Sequence, residues 1–178
     1  IRIWYLLTCK KQEEQKILTI CREKLSEKIC RDIFILTYDR LRKYQGVWHL
    51  EQHPMFPGQI FLEGEEEKGL QEELEKVRGR IGCGKHLVEV SQEEEDFLRK
   101  LCGKDHHLEM SRGIIFHGNT RVTEGPLKGM EKRICRIDRH KRLARVEIAK
   151  KAGASEQNEG GMAGGCYISA GLEITEKS

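Results

Sequence analysis

Residues 120–148 read TRVTEGPLKGMEKRICRIDRHKRLARVEI. Val122 stands between polar Arg121 and Thr123, the start of an alternating pattern. Gly125-Pro126 and Gly129 punctuate the chain and predict a tight loop between strands. Ala144, Val146 and Ile148 alternate with Leu143, Arg145 and Glu147, the period of a half-buried strand. Between the two β-patterned runs lies Asp138-Arg139-His140-Lys141-Arg142, which predicts an exposed hairpin tip. The alternation returns in Cys166, Ile168, Ala170, Leu172 and Ile174. A small all-β unit over 119–178 follows. It is interrupted at 149–165 by a Gly- and Ala-rich stretch that predicts a mobile loop.

Upstream the pattern changes. Residues 103–118 carry Gly103, Gly113 and Gly118 without a strong period and are expected to be a linker. Residues 1–102 mix two periods. Ile1–Leu7 is apolar and β-prone. Ile17, Leu18, Cys21 and Leu25 recur at helical spacing within 11–25. Residues 32–38 predict a buried strand, and 46–52 and 58–63 two more, with Pro54 and Pro57 restricting the connection. Leu70, Leu74 and Val77 predict a helix over 65–78. Ser91-x-x-Glu94 is a capping box that opens a helix reaching Cys102. The fold class expected is α+β: an α/β sandwich with a mostly antiparallel sheet at 1–102, then a small all-β barrel.

Charge is distributed unevenly over the 178 residues. The total is +3, but 117–151 hold 11 Lys+Arg against 4 Asp+Glu, a net +7, while 152–178 carry −3. A short cationic segment points to a polyanionic partner. No apolar run approaches the roughly 20 residues that span a bilayer, so no membrane role is expected. Seven cysteines, an odd number without a CxxC, and no leader pattern predict reduced thiols in the cytoplasm.

Chemistry-bearing patterns are weak elsewhere. Gly79-x-x-x-x-Gly84-Lys85 approaches a phosphate-binding loop, but His86 stands where a metal-holding Ser or Thr belongs, and the segment follows a helical run. Cys83 is a candidate nucleophile only if its thiol pKa is lowered. Cys102, His106, His107 and His117 match no zinc-ligand spacing. No catalytic residue, metal or cofactor is expected. The cationic candidates are Lys128, Lys132, Arg133, Arg136, Arg139, His140, Lys141, Arg142 and Arg145. Arg supplies bidentate bonds and Lys a point charge to phosphate. The segment lacks interleaved aromatics, so contact with a folded or duplex backbone is expected rather than base stacking.

Val122-x-x-x-Gly125-Pro126-Leu127-x-Gly129, followed by Ile134-x-x-Ile137, resembles a KOW motif. Trp4-Tyr5-Leu6-Leu7, the early helix and Phe56-Pro57-Gly58-Gln59-Ile60-Phe61 resemble the NGN domain of NusG-type transcription factors. Ile137–Arg142 and the GPLKG-M-E string look most like the LoaP antiterminator branch of that family. The resemblance implies an NGN domain that docks on the clamp helices of RNA polymerase, with Trp4, Phe56, Pro57 and Ile60 in the polymerase-facing region. It also implies a KOW domain that meets an RNA hairpin in the nascent leader, with bubble DNA as a further candidate and a monomer as the expected state. The chain departs from the family at Gln59, where Tyr is usual, and at Lys132, where a second KOW glycine is usual. A general NusG-type factor whose KOW domain binds protein is the alternative. A nucleotide-dependent enzyme is a weaker one.

Overall fold

The computed structural model describes residues 1–83, 86–149 and 167–178. In chain order these form β1 (Ile3–Thr8), α1 (Glu14–Lys24), β2 (Asp32–Phe34), β3 (Thr37–Tyr44), β4 (Val47–Pro54) and β5 (Gln59–Gly64). There follow α2 (Glu67–Glu75), α3 (Arg78–Ile81), β6 (Leu87–Glu89), α4 (Gln92–Cys102) and β7 (His107–Leu108). The chain ends with β8 (Ser111–Phe116), β9 (Asn119–Glu124), a 3-10 turn at Glu131–Arg133, β10 (Ile134–Asp138), β11 (Leu143–Glu147) and β12 (Tyr167–Lys177). The expected mobile loop at 149–165 lies outside the described residues from 150 onward.

Two compact units result. The first comprises 1–36 and 56–95. Its sheet runs β2-β5-β1-β6, with every pair antiparallel. Trp4, Tyr5, Leu6 and Leu7 are all buried, so β1 is covered on both faces and reads as an unbroken apolar run. Tyr5 and Leu7 pack with Ile17, Leu18 and Cys21 of α1 and Leu70 and Leu74 of α2. On the other face Trp4 meets Phe34 and Phe61 edge-on, at 5.0 and 5.7 Å between ring centroids. Phe34 and Phe61 stack at 5.6 Å. Aromatic pairs at these separations add stability beyond their area. Two buried carboxylates tie down backbone here. Glu95 accepts from the Trp4 N–H at 2.6 Å, and Glu14 accepts from the Gly58 N–H at 2.7 Å.

The second unit comprises 37–55, 96–149 and 167–178. It holds a three-stranded sheet, β4-β3-β7, and a five-stranded sheet, β10-β11-β12-β8-β9. The expected barrel is not closed among the described residues: β9 and β10 remain as edges. Glu131 of the 3-10 turn approaches the β9 edge, accepting from the Val122 N–H at 3.0 Å. Bonds from its own N–H and from Val122 hold this carboxyl below the usual carboxylate range. A lowered folded pKa gives stability that is present at neutral pH and is lost as pH falls through the folded value. Glu131→Gln is therefore expected to cost about 1 kcal/mol at pH 7 and little in acid. The check is hydrogen exchange at the Val122 amide. Equal protection of both proteins at pH 7 would reject it.

Beyond the open sheet, the structure differs from the sequence reading in three further places. The stretch 103–118 is not a bare linker, because it contains β7 and β8; the glycine at 113 breaks the apolar alternation of β8 and hid it. The run at 32–38 divides between β2 and β3, and β3 continues through charged residues to Tyr44. Helix 65–78 becomes α2 and the short α3. The capping residue of α4 is as expected, with Ser91 Oγ accepting from the Glu94 N–H at 3.3 Å.

Candidate nucleic-acid interface

The cationic segment folds into the β10–β11 hairpin. Its four-residue loop, 139–142, is closed by Asp138, whose carboxylate accepts from the Lys141 N–H at 3.0 Å. That bond, followed by the charge of Lys141, lowers the Asp138 pKa and so favours the carboxylate that anchors the turn. Arg139, His140 and Lys141 are left exposed. The strand register then sets Arg136 directly opposite Arg145, both exposed. Like charges paired across strands oppose pairing. Among the described residues no carboxylate forms an ion pair with Arg136, Arg139 or Lys141. The hairpin thus concentrates positive charge that the fold itself does not neutralise.

Three other candidates are already engaged. Arg142 has φ +53, an uncommon backbone state for a side chain of this size. It is held there by three contacts. Its guanidinium lies 3.9 Å from the Trp48 ring centroid and 3.4 Å from Glu173, and its carbonyl accepts from the Leu172 N–H at 2.9 Å. Arg145 covers the Tyr167 ring at 4.4 Å. Arg133 covers Phe97 at 5.2 Å and donates to the Ile148 carbonyl at 3.0 Å. The expectation of no interleaved aromatics is corrected by these pairs. Trp48, Phe97 and Tyr167 come from β4, α4 and β12, so local sequence could not show them beside the arginines. Lys128 and Lys132 are exposed on the loop before β10. Leu127 of the Gly-Pro-Leu string and Val122 are buried, at 0% and 2% exposure, so the motif's apolar positions are core.

In the first unit, Trp4, Phe56 and Ile60 are buried and Pro57 is exposed. The carboxylate of Glu14 fixes the turn after Pro57 through Gly58. Burial pushes the Cys83 thiol up to about 11 and those of Cys9, Cys30 and Cys102 to about 12. Those thiols stay protonated at neutral pH, the wrong direction for a nucleophile. The α3 helix at 78–81 follows α2, so no strand leads into the Gly79–Lys85 run. His107 bonds Thr37 Oγ1 and Asp39 Oδ1, each at 2.7 Å. It fastens β7 to β3. Among the described residues no three potential metal ligands gather, and no helix is long and apolar enough to cross a membrane.

The profile of the family described as "Transcription termination factor nusG" matches residues 2–99. The chain belongs to the NusG family. The match covers all of the first unit's sheet and its three helices, where the buried Trp4 cluster and the Glu14-held turn lie. NusG-family proteins are transcription factors that typically bind RNA polymerase. No curated protein matches the chain.

Proposed function

We propose that this NusG-family chain is a LoaP-like, non-enzymatic processive antitermination factor acting in the cytoplasm as a monomer. Its NGN-like N-terminal unit contacts the clamp helices of RNA polymerase. Pro57 meets the polymerase at the surface, while Trp4, Phe56 and Ile60 support that turn from beneath. The C-terminal strands act as a KOW-like module that binds a structured leader RNA. The observation that carries the RNA reading is the unneutralised charge of the β10–β11 hairpin: Arg136 opposite Arg145, with Arg139, His140 and Lys141 at the tip.

Terminator read-through by purified RNA polymerase, with and without a leader stem-loop, tests the whole reading; no change on adding the protein would overturn it. Arg139→Gln with Lys141→Gln tests the site. Among the described residues neither side chain forms a hydrogen bond or a close ion pair, and the Asp138 anchor bonds the Lys141 backbone N–H, so the fold should persist. RNA affinity should fall roughly tenfold at moderate salt. The slope of log affinity against log salt should shrink by about 1.5, at about 0.7–0.9 per phosphate contact. An unchanged slope would reject the tip as the phosphate site. Phe116, 57% exposed at the β8–β9 turn, favours the second reading, a general NusG-type factor with a protein partner at this module. Competition between that partner and a stem-loop RNA separates the two.

A further inference from the structure

The turn that leads into β5 is held from two sides. The Gln59 N–H donates to the Phe56 carbonyl at 3.1 Å, closing Phe56-Pro57-Gly58-Gln59. Pro57 fixes a negative φ at the second position and Gly58 has φ +79 at the third, which together define a type II turn. The central Pro57–Gly58 peptide has two available orientations. A type I turn over the same residues rotates that peptide by roughly 150°, and proline and glycine accept either form. The structure selects one. The Gly58 N–H points inward to Glu14 Oε1 at 2.7 Å, and the Gly58 carbonyl accepts from the Cys9 N–H at 2.7 Å. Glu14 is the first residue of α1 and is 7% exposed. Withdrawing a carboxylate from water is costly unless it is bonded. Here its bond goes to a turn whose preceding residue, Pro57, stays exposed. The peptide is trans, so its carbonyl lies opposite its N–H and faces away from Glu14. Among the described residues that Pro57 carbonyl bonds nothing. Phe56 packs beneath, with 5.9 Å between its ring centroid and that of Phe61.

We infer that Glu14 is a positioning residue for the polymerase contact: its carboxylate fixes the peptide orientation that presents the Pro57 ring and carbonyl together. The partner surface is therefore one that offers an apolar contact beside a hydrogen-bond donor. Close packing reinforces the choice, since a Cβ at 58 would lie 2.9 Å from the Cys9 carbonyl oxygen. Glu14 touches no partner itself and acts through Gly58. This inference rests on the polymerase reading above.

The test measures RNA polymerase binding by the full chain, with melting curves and near-ultraviolet dichroism to establish that each variant is folded. Glu14→Ala should weaken binding roughly tenfold, the lower scale of one hydrogen bond to a charged group. Glu14→Gln should stay within about twofold of wild type, because an amide oxygen still accepts from the Gly58 N–H. Glu14→Ala combined with Pro57→Ala should bind no more weakly than the weaker single variant, because both act through one turn. A purely stabilising role would lower the melting point of Glu14→Ala and leave the affinity of the folded protein unchanged. A folded Glu14→Ala protein that binds like wild type would therefore overturn the inference. So would additive losses in the double variant, or a Glu14→Gln protein as weak as Glu14→Ala. If Glu14→Ala does not fold, Glu14→Asp replaces it: the charge stays but ends one methylene short of Gly58, and the same loss is expected. If wild type does not bind, or Pro57→Ala binds as tightly as wild type, the polymerase reading fails and this inference falls with it. Loss in Pro57→Ala without loss in Glu14→Ala rejects the role of Glu14 alone.

Discussion

Replacing Trp4 with alanine is expected to cost the N-terminal unit about 3–5 kcal/mol, the range for a large aromatic removed from a packed core. Trp4 is 1% exposed and touches Phe34 and Phe61 edge-on. Truncation leaves a cavity beside two stacked rings that have no freedom to close it, since both sit in paired strands β2 and β5. The backbone bond from Trp4 to Glu95 survives in principle, but its carboxylate is 97% covered and depends on the neighbouring packing to stay dry. The expected result is loss of near-ultraviolet dichroism and a lowered thermal midpoint. Polymerase binding would then fall because the unit unfolds. Pro57→Ala makes the contrast: Pro57 is exposed, so stability should be preserved while polymerase affinity drops. A Trp4→Ala protein with an unaltered melting curve would refute the core assignment.

What was legible in the sequence follows from locality. The β1 run, the α1 stripe and the Ser91 cap each depend on residues within one or two turns of chain, and all appear as elements. The β10–β11 hairpin was legible for the same reason, because alternation flanks a charged break. The aromatic rings under Arg133, Arg142 and Arg145 were not legible, because each belongs to a distant element. The long β3 was hidden by composition: Asp39, Arg40, Arg42 and Lys43 break the expected apolar alternation. Its ladder with β4 survives because both strands of an edge ribbon face water along much of their length. Gln45-Gly46 also lacks the Asn-Gly or Asp-Gly signature that would have announced the turn. The pairing of Arg136 with Arg145 was obscured by a register shift between Ile134 and Arg136, which moves the cross-strand partners by a residue.

Gly171→Ala is expected to destabilise the C-terminal unit by about 2–3 kcal/mol, the upper part of the range for overpacking. A Cβ at 171 would lie 2.6 Å from the Asp39 carbonyl oxygen and would collide with Met110 Sδ. Methionine can swing aside, but a backbone carbonyl inside the β3 ladder cannot. The strain therefore falls on the contact between β12 and β3. Asp39 also anchors His107 and accepts from the Met110 N–H at 3.2 Å, so displacing β3 loosens β7 too. Arg142 is paired to this site, since Leu143 is the cross-strand partner of Gly171. The substitution should thus loosen the Arg142–Trp48 contact and shift Trp48 emission to the red. Gly79→Ala provides the opposite sign. Nothing lies within 4 Å of its Cβ, it sits inside α3, and a gain of about 0.5–1 kcal/mol is expected. Equal stability of Gly171→Ala and wild type would show that β3 can move away from β12 without cost. The ribbon's place beside the basic loop would then not be held by packing.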